Sequence, residues 1–175
     1  MTRTTMTVVA AAAAALVAGC QTTPTESLWA NAPLKPTQGS KAFGEATFEQ
    51  VGDKVRVVVF AQGLKPNQEH GLHIHEVGDC SAPDAMSAKG HFNPTGKPHG
   101  HPTSAERHAG DLPALKANKD GRAKVEVVVD VITLRPGPTS IIGRSVIIHA
   151  DPDDYKTQPT GNSGARIACG VIQRS

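Results

Sequence analysis

Between residues 54 and 60 the chain reads KVRVVVF, and between 123 and 131 it reads AKVEVVVDV. In the second run Val125, Val127, Val129 and Val131 take every other position, with Lys124, Glu126 and Asp130 on the intervening face. Side chains alternate across a strand, so a period of two carried by β-branched residues predicts half-buried strands. RSVIIHA (144 to 150) and ARIACGVI (165 to 172) are further strand candidates, and the strand pattern begins at about Ala42. NKDG at 118 to 121 is a turn signal just ahead of the valine run. No stretch carries a helical period. Short strands with Gly/Pro punctuation predict an all-β, antiparallel sandwich or barrel. Two polar, Gly/Pro-rich segments, 77 to 113 and 150 to 164, interrupt this pattern, and loops of that length in a small domain are usually functional.

The start of the chain reads differently. Arg3 precedes an apolar run from Val8 to Ala18 that is too short to span a membrane, and LVAGC follows. Residues 1–19 therefore read as a secretory leader of lipoprotein type, with Cys20 as the lipidated residue. Residues 20–41, polar and proline-bearing, read as a tether, and 42–175 as the folded domain. Export implies an oxidising compartment, in the cell envelope and on its periplasmic side. With Cys20 assigned to lipid, Cys80 and Cys169 remain and can pair. The formal net charge is only +2, and no Lys/Arg run or aromatic platform suggests nucleic acid.

Chemistry concentrates in histidine. Seven of the eight histidines, His70, His73, His75, His91, His99, His101 and His108, fall in the first long segment or just before it, and His149 ends a strand candidate. In GLHIHE, His73 and His75 share one strand face and Leu72 and Ile74 the other. Histidines gathered with a carboxylate, Asp111, suit zinc, whereas an all-histidine set suits copper. On residue chemistry alone the domain binds one or two copper or zinc ions.

The motifs GLHIHEVGDC, GHFNPTGKPHGHPTSAERHAGDL, SIIGRSVIIHADPDD and TGNSGARIACGVI, in that order, resemble the copper–zinc superoxide dismutases, specifically their exported bacterial branch. The resemblance covers most of residues 42 to 173 and implies an antiparallel Greek-key β-sandwich, or flattened barrel, with two long functional loops. It implies that His73, His75, His91 and His149 bind copper, and that His91 is shared with a zinc site completed by His99, His108 and Asp111. Asp153 matches a carboxylate linking a copper ligand to a zinc ligand. Arg166 matches the arginine at the mouth of the copper site, and Lys89 is a weaker candidate for attracting substrate. His70 matches a structural position, and His101 is a departure that reads as a solvated loop residue. The implied activity is disproportionation of superoxide to oxygen and hydrogen peroxide, with His91 taking up and delivering a proton, by a monomer or homodimer. A copper or zinc carrier on the same fold is the alternative, and it would need neither Arg166 nor a shared His91.

Overall fold

The alternating runs form strands in the computed structural model, which describes Met1, Thr2 and residues 28–175. KVRVVVF lies in β3 (Lys54–Gln62) and AKVEVVV is β7 (Ala123–Val129). They pair antiparallel from Val55 opposite Val129 to Ala61 opposite Ala123. Around them are β1 (Trp29–Pro36), β2 (Phe43–Val51), β4 (Glu69–His70), β5 (Leu72–His75), β6 (Leu115–Lys116), β8 (Ser145–His149), β9 (Arg166–Val171) and β10 (Gln173–Arg174). The main sheet runs β5-β8-β9-β1-β2-β3-β7, with β10 beside β1. β3 and β5, consecutive in this sheet because β4 pairs with β6 apart from it, sit near opposite ends of this order, as do β7 and β8. The chain therefore crosses the sheet repeatedly, in Greek-key manner. The curled sheet encloses Phe48, Val55, Val57, Val59, Leu72, Ile74, Val146 and Ile148 in one core. The all-β antiparallel expectation holds, and among the described residues the single helical piece is a 3-10 turn at Met86–Ala88.

One expectation is corrected. Residues 29–36, assigned to a tether, form β1, which pairs with β2, β9 and β10 and joins the two halves of the sheet. Its inward positions are Ala30, Ala32 and Leu34, too small to stand out as an apolar period, and prolines at 33 and 36 argue against an interior strand. Pro33 is tolerated because it falls between the β10 contacts at Ala30 and Asn31 and the β9 contacts at Lys35 and Pro36. Gly170 on β9 is required beside it: a Cβ there would meet the Pro33 carbonyl oxygen at 2.5 Å. Cys20 and the leader from residue 3 onward lie outside the described residues.

Cys80 and Cys169 form a disulfide, with Cα atoms 5.8 Å apart. It fastens the first long loop to β9.

Candidate metal centre

The site is built on the free edge of β5. This edge strand is covered by the first long loop, which folds back along it. Phe92 donates its N–H to the Ile74 carbonyl, and Ile74 donates to Gly110. Isolated bridges then set His91 opposite His75 and Asp111 opposite His73. β8 pairs with the other edge of β5 and brings His149 to its end. The strand positions are rigid because Leu72, Ile74 and Ile148 are locked in the core, and His73 and His75 are buried as well. Seven of the residues proposed from sequence, His73, His75, His91, His99, His108, Asp111 and His149, thus converge from three segments: β5, the first long loop and β8.

In the first group one ring nitrogen of each histidine is committed and the other is bare. Asp153 Oδ2 lies 2.6 Å from His73 Nε2, and the Lys89 carbonyl lies 2.8 Å from His75 Nδ1. Asp111 Oδ1 lies 3.0 Å from His91 Nδ1, and the Gly164 carbonyl 3.3 Å from His149 Nδ1. The carbonyls at His75 and His149 fix Nδ1 as the N–H, so Nε2 keeps its lone pair. His73 is reversed, donating from Nε2 to the carboxylate and keeping a lone pair at Nδ1. His73 Nδ1 and the Nε2 atoms of His75, His91 and His149 are buried without any hydrogen-bond partner. The four residues offer atoms all within 4.8 Å of one another. Four orphaned buried acceptors aimed at one point are costly alone and are satisfied together by one cation. Burial holds His75 and His149 well below the usual imidazole range, and burial together with His73 lowers His91 to about 4. All are therefore neutral, ligand-ready imidazoles at pH 7.

The second group surrounds Asp111. Its Oδ1 is 3.0 Å from His91 Nδ1, 3.0 Å from His99 Nδ1 and 3.3 Å from His108 Nδ1. His108 Nδ1 is also 3.3 Å from His91 Nδ1. His73 comes within 4.8 Å of this group too, but with Nε2 held by Asp153 and Nδ1 turned to the first group it belongs there, and His108 completes the second. Asp111 Oδ2 accepts from the Gly100 and His108 backbone N–H groups, leaving Oδ1 for the centre. These contacts outweigh its burial and hold its carboxyl far below the ordinary range. Burial opposes charging His99, yet its bonds to Asp111 and Asp153 raise it to about 9. The ring thus takes a proton on the edge facing Asp111 when no metal is there, which marks a place for positive charge. Both donor sets fit their expected ions: all-histidine for copper, and three histidines with one carboxylate, closed, for zinc.

Asp153 spans the two groups, with Oδ1 2.9 Å from His99 Nε2 and Oδ2 on His73. Gly161, at φ +66°, lets the second long loop pass close by; a Cβ would run into the Asp153 carboxylate and the His99 ring. Gln158 was not legible in the sequence. Its side-chain amide accepts from the His99 N–H at 2.8 Å and donates to the His99 carbonyl at 2.9 Å, clamping the second loop to the first. A lone loop glutamine has no motif, so no sequence signal marks it.

Arg166 donates to the carbonyls of Ala85, at 2.7 Å, and Lys89. It lines a cavity of about 510 Å³ together with His75 and His149. The Lys89 carbonyl also receives the His75 N–H, so one backbone group joins the arginine to a buried histidine. The Lys89 side chain is not among the groups lining that cavity; its contribution is its backbone, held at φ +59° where non-glycine residues are rare. His70 is buried with Nδ1 2.8 Å from the His149 carbonyl, as suits a structural residue. His101 is exposed, with Nδ1 2.8 Å from Thr103 Oγ1 and its ring edge-on to Tyr155, outside both groups.

The chain has close relatives. Residues 42–172 match the family model described as copper/zinc superoxide dismutase. A Cu-Zn superoxide dismutase of Aquifex aeolicus is 42% identical over 152 residues, covering 85% of this chain and 88% of the relative. Another, from Paramecium bursaria Chlorella virus 1, is 44% identical over 135 residues, covering 74% of this chain and 71% of the relative. Among solved structures, a double mutant of a superoxide-dismutase-like protein from Bacillus subtilis is 39% identical with a TM-score of 0.74, covering 82% of this chain and 96% of that one.

Proposed function

Because the chain belongs to the copper/zinc superoxide dismutases, oxidoreductases that disproportionate superoxide, we propose that it does so at a copper held by His73, His75, His91 and His149. His91 also faces a zinc held with His99, His108 and Asp111. The observation that carries the assignment is the pair of opposed nitrogens on His91. Nε2 is orphaned in the first group while Nδ1 sits in the second. Copper, when bound, supplies a one-electron redox couple, and zinc supplies fixed charge without redox chemistry.

The protein's own residues do the rest. His91 can hold a proton at Nε2 and release it to product, since its Nδ1 stays anchored on the Asp111 side. Asp153 holds His73 and His99 in the required tautomers. Arg166, rigidly bracketed by two carbonyls, places a cation where a small anion enters. A metal carrier would need neither feature. The direct test is selective copper removal from zinc-loaded protein: superoxide turnover disappears and returns in proportion to restored copper, whereas full activity without copper would end this assignment.

The net charge is small, so attraction of superoxide depends on local charge. Arg166→Glu is expected to keep both metals and to lower the second-order rate with superoxide by roughly tenfold or more. Screening weakens attraction in the parent and repulsion in the variant, so salt slows the former and does not slow the latter. Stopped-flow rates at several ionic strengths check this; an unchanged rate and salt slope would remove the arginine from substrate capture.

Localisation follows the leader. The reading supported by LVAGC is lipid on Cys20, anchoring the enzyme in the envelope, where it would meet superoxide outside the cytoplasm. Cys20→Ala is expected to leave the membrane fraction; unchanged membrane association would require another anchor.

A further inference from the structure

The cavity that leads to His75 and His149 carries an exposed methionine at its rim. Met86 is 58% exposed and lines this cavity with Asp84 and Arg166. Its turn is firmly seated, because neighbouring Ala85 and Ala88 are buried against Ile147 and Cys169. Met86 is not part of that cluster, so packing does not account for a thioether here. Asp84 is fixed beside it: Asp84 Oδ1 accepts the Met86 N–H at 3.0 Å, and the carboxylate acts electrostatically on the Arg166 guanidinium. In the same cavity are His75 and His149, each more than nine-tenths buried, with Nε2 unpartnered.

This arrangement sets a problem for metal entry. The cavity is lined by His75 and His149 of the four-histidine group, but Arg166 at its side repels a cation. Asp84 offsets that charge for any copper ion. Met86 adds selectivity, because thioether sulfur is a soft donor that favours Cu(I) over harder ions. We propose that Met86, with the Asp84 carboxylate beside it, is an entry site that captures Cu(I) before it passes to the imidazoles of His75 and His149. The inference rests on the copper assignment of the four-histidine group. The transfer exchanges a thioether ligand for imidazoles and involves no change in oxidation state.

The test uses zinc-loaded, copper-free protein mixed anaerobically with Cu(I) held by bicinchoninate, and separately with Cu(II) glycinate, following metal transfer spectroscopically. Leucine matches methionine in volume and the position is exposed, so Met86→Leu should fold, and retained zinc reports that it has. Met86→Leu is expected to slow Cu(I) loading by about fivefold or more and leave Cu(II) loading within about twofold, as loss of a soft ligand requires. Both proteins should reach the same final copper per chain, since the four imidazoles set the end state. Asp84→Asn is expected to slow both ions, most at low salt. Equal Cu(I) rates in Met86→Leu and the parent would overturn the entry site, as would equal slowing of both ions by Met86→Leu. A parent protein that takes up neither ion would instead overturn the copper assignment beneath it.

Discussion

A His149→Ala protein is expected to retain zinc, hold almost no copper and lose superoxide turnover by more than about a hundredfold. Loss of a partner outside the ligand shell typically costs about 10–100-fold in affinity or activity, so loss of a ligand should exceed that. The selectivity comes from position. His149 projects from the end of β8, its Nε2 belongs to the first group, and its Nδ1 is engaged by Gly164 of the second loop. None of the contacts around Asp111 uses it. Truncation therefore removes one of four copper nitrogens and leaves His91, His99, His108 and Asp111 in place. Metal analysis with superoxide assays on the same preparation reads both outcomes. Full copper retention would show that His149 is not a ligand. Loss of zinc together with copper would show that the two groups form one inseparable unit.

Much of this separation was legible in the sequence because strand periodicity and ligand chemistry coincide. HIH on a strand aims both imidazoles to one side, and SVIIHA delivers His149 from the neighbouring strand. The zinc residues were legible only through the motif as a whole, since an unpatterned loop gives no geometry of its own. What aligns that loop is backbone pairing to the β5 edge, through Ile74, Phe92 and Gly110, and a backbone hydrogen bond leaves no residue signature. The same reason hid the Ala85 and Lys89 carbonyls that hold Arg166 and the Gln158 clamp on His99. β1 is hidden in the sequence for a different reason. Its buried side chains are two alanines and one leucine between prolines, so the tertiary pairing that makes it a strand outweighs weak local propensity.

The disulfide joins these two kinds of information, and its removal has the largest expected effect on stability. Cys80 and Cys169 are 89 residues apart, and closing a loop of that length stabilises the folded state by about 4–5 kcal/mol in the chain-entropy model. Changing both to serine is expected to lower the melting temperature by roughly 10 °C or more for a domain of this size. The functional consequence follows from what the crosslink holds. Cys80 opens the segment that carries the Ala85 and Lys89 carbonyls, and Cys169 lies on the strand that begins with Arg166. Cys169 also packs with Ala85, Ala88 and Ile147, so cutting the bond loosens the bracket from both sides. Below its melting temperature and in excess metal the double variant should keep both ions, because no residue of the two groups lies between Cys80 and Gly90, while its copper affinity falls as the Lys89 carbonyl on His75 Nδ1 loosens. Its rate with superoxide should fall and its salt dependence flatten as the guanidinium loses its fixed place, a weaker version of Arg166→Glu. Calorimetry and stopped-flow measurements separate the two effects. An unchanged melting temperature would contradict the crosslink's stabilising role. A destabilised protein with full rate and unaltered salt slope would show that the carbonyl bracket positions Arg166 without covalent help.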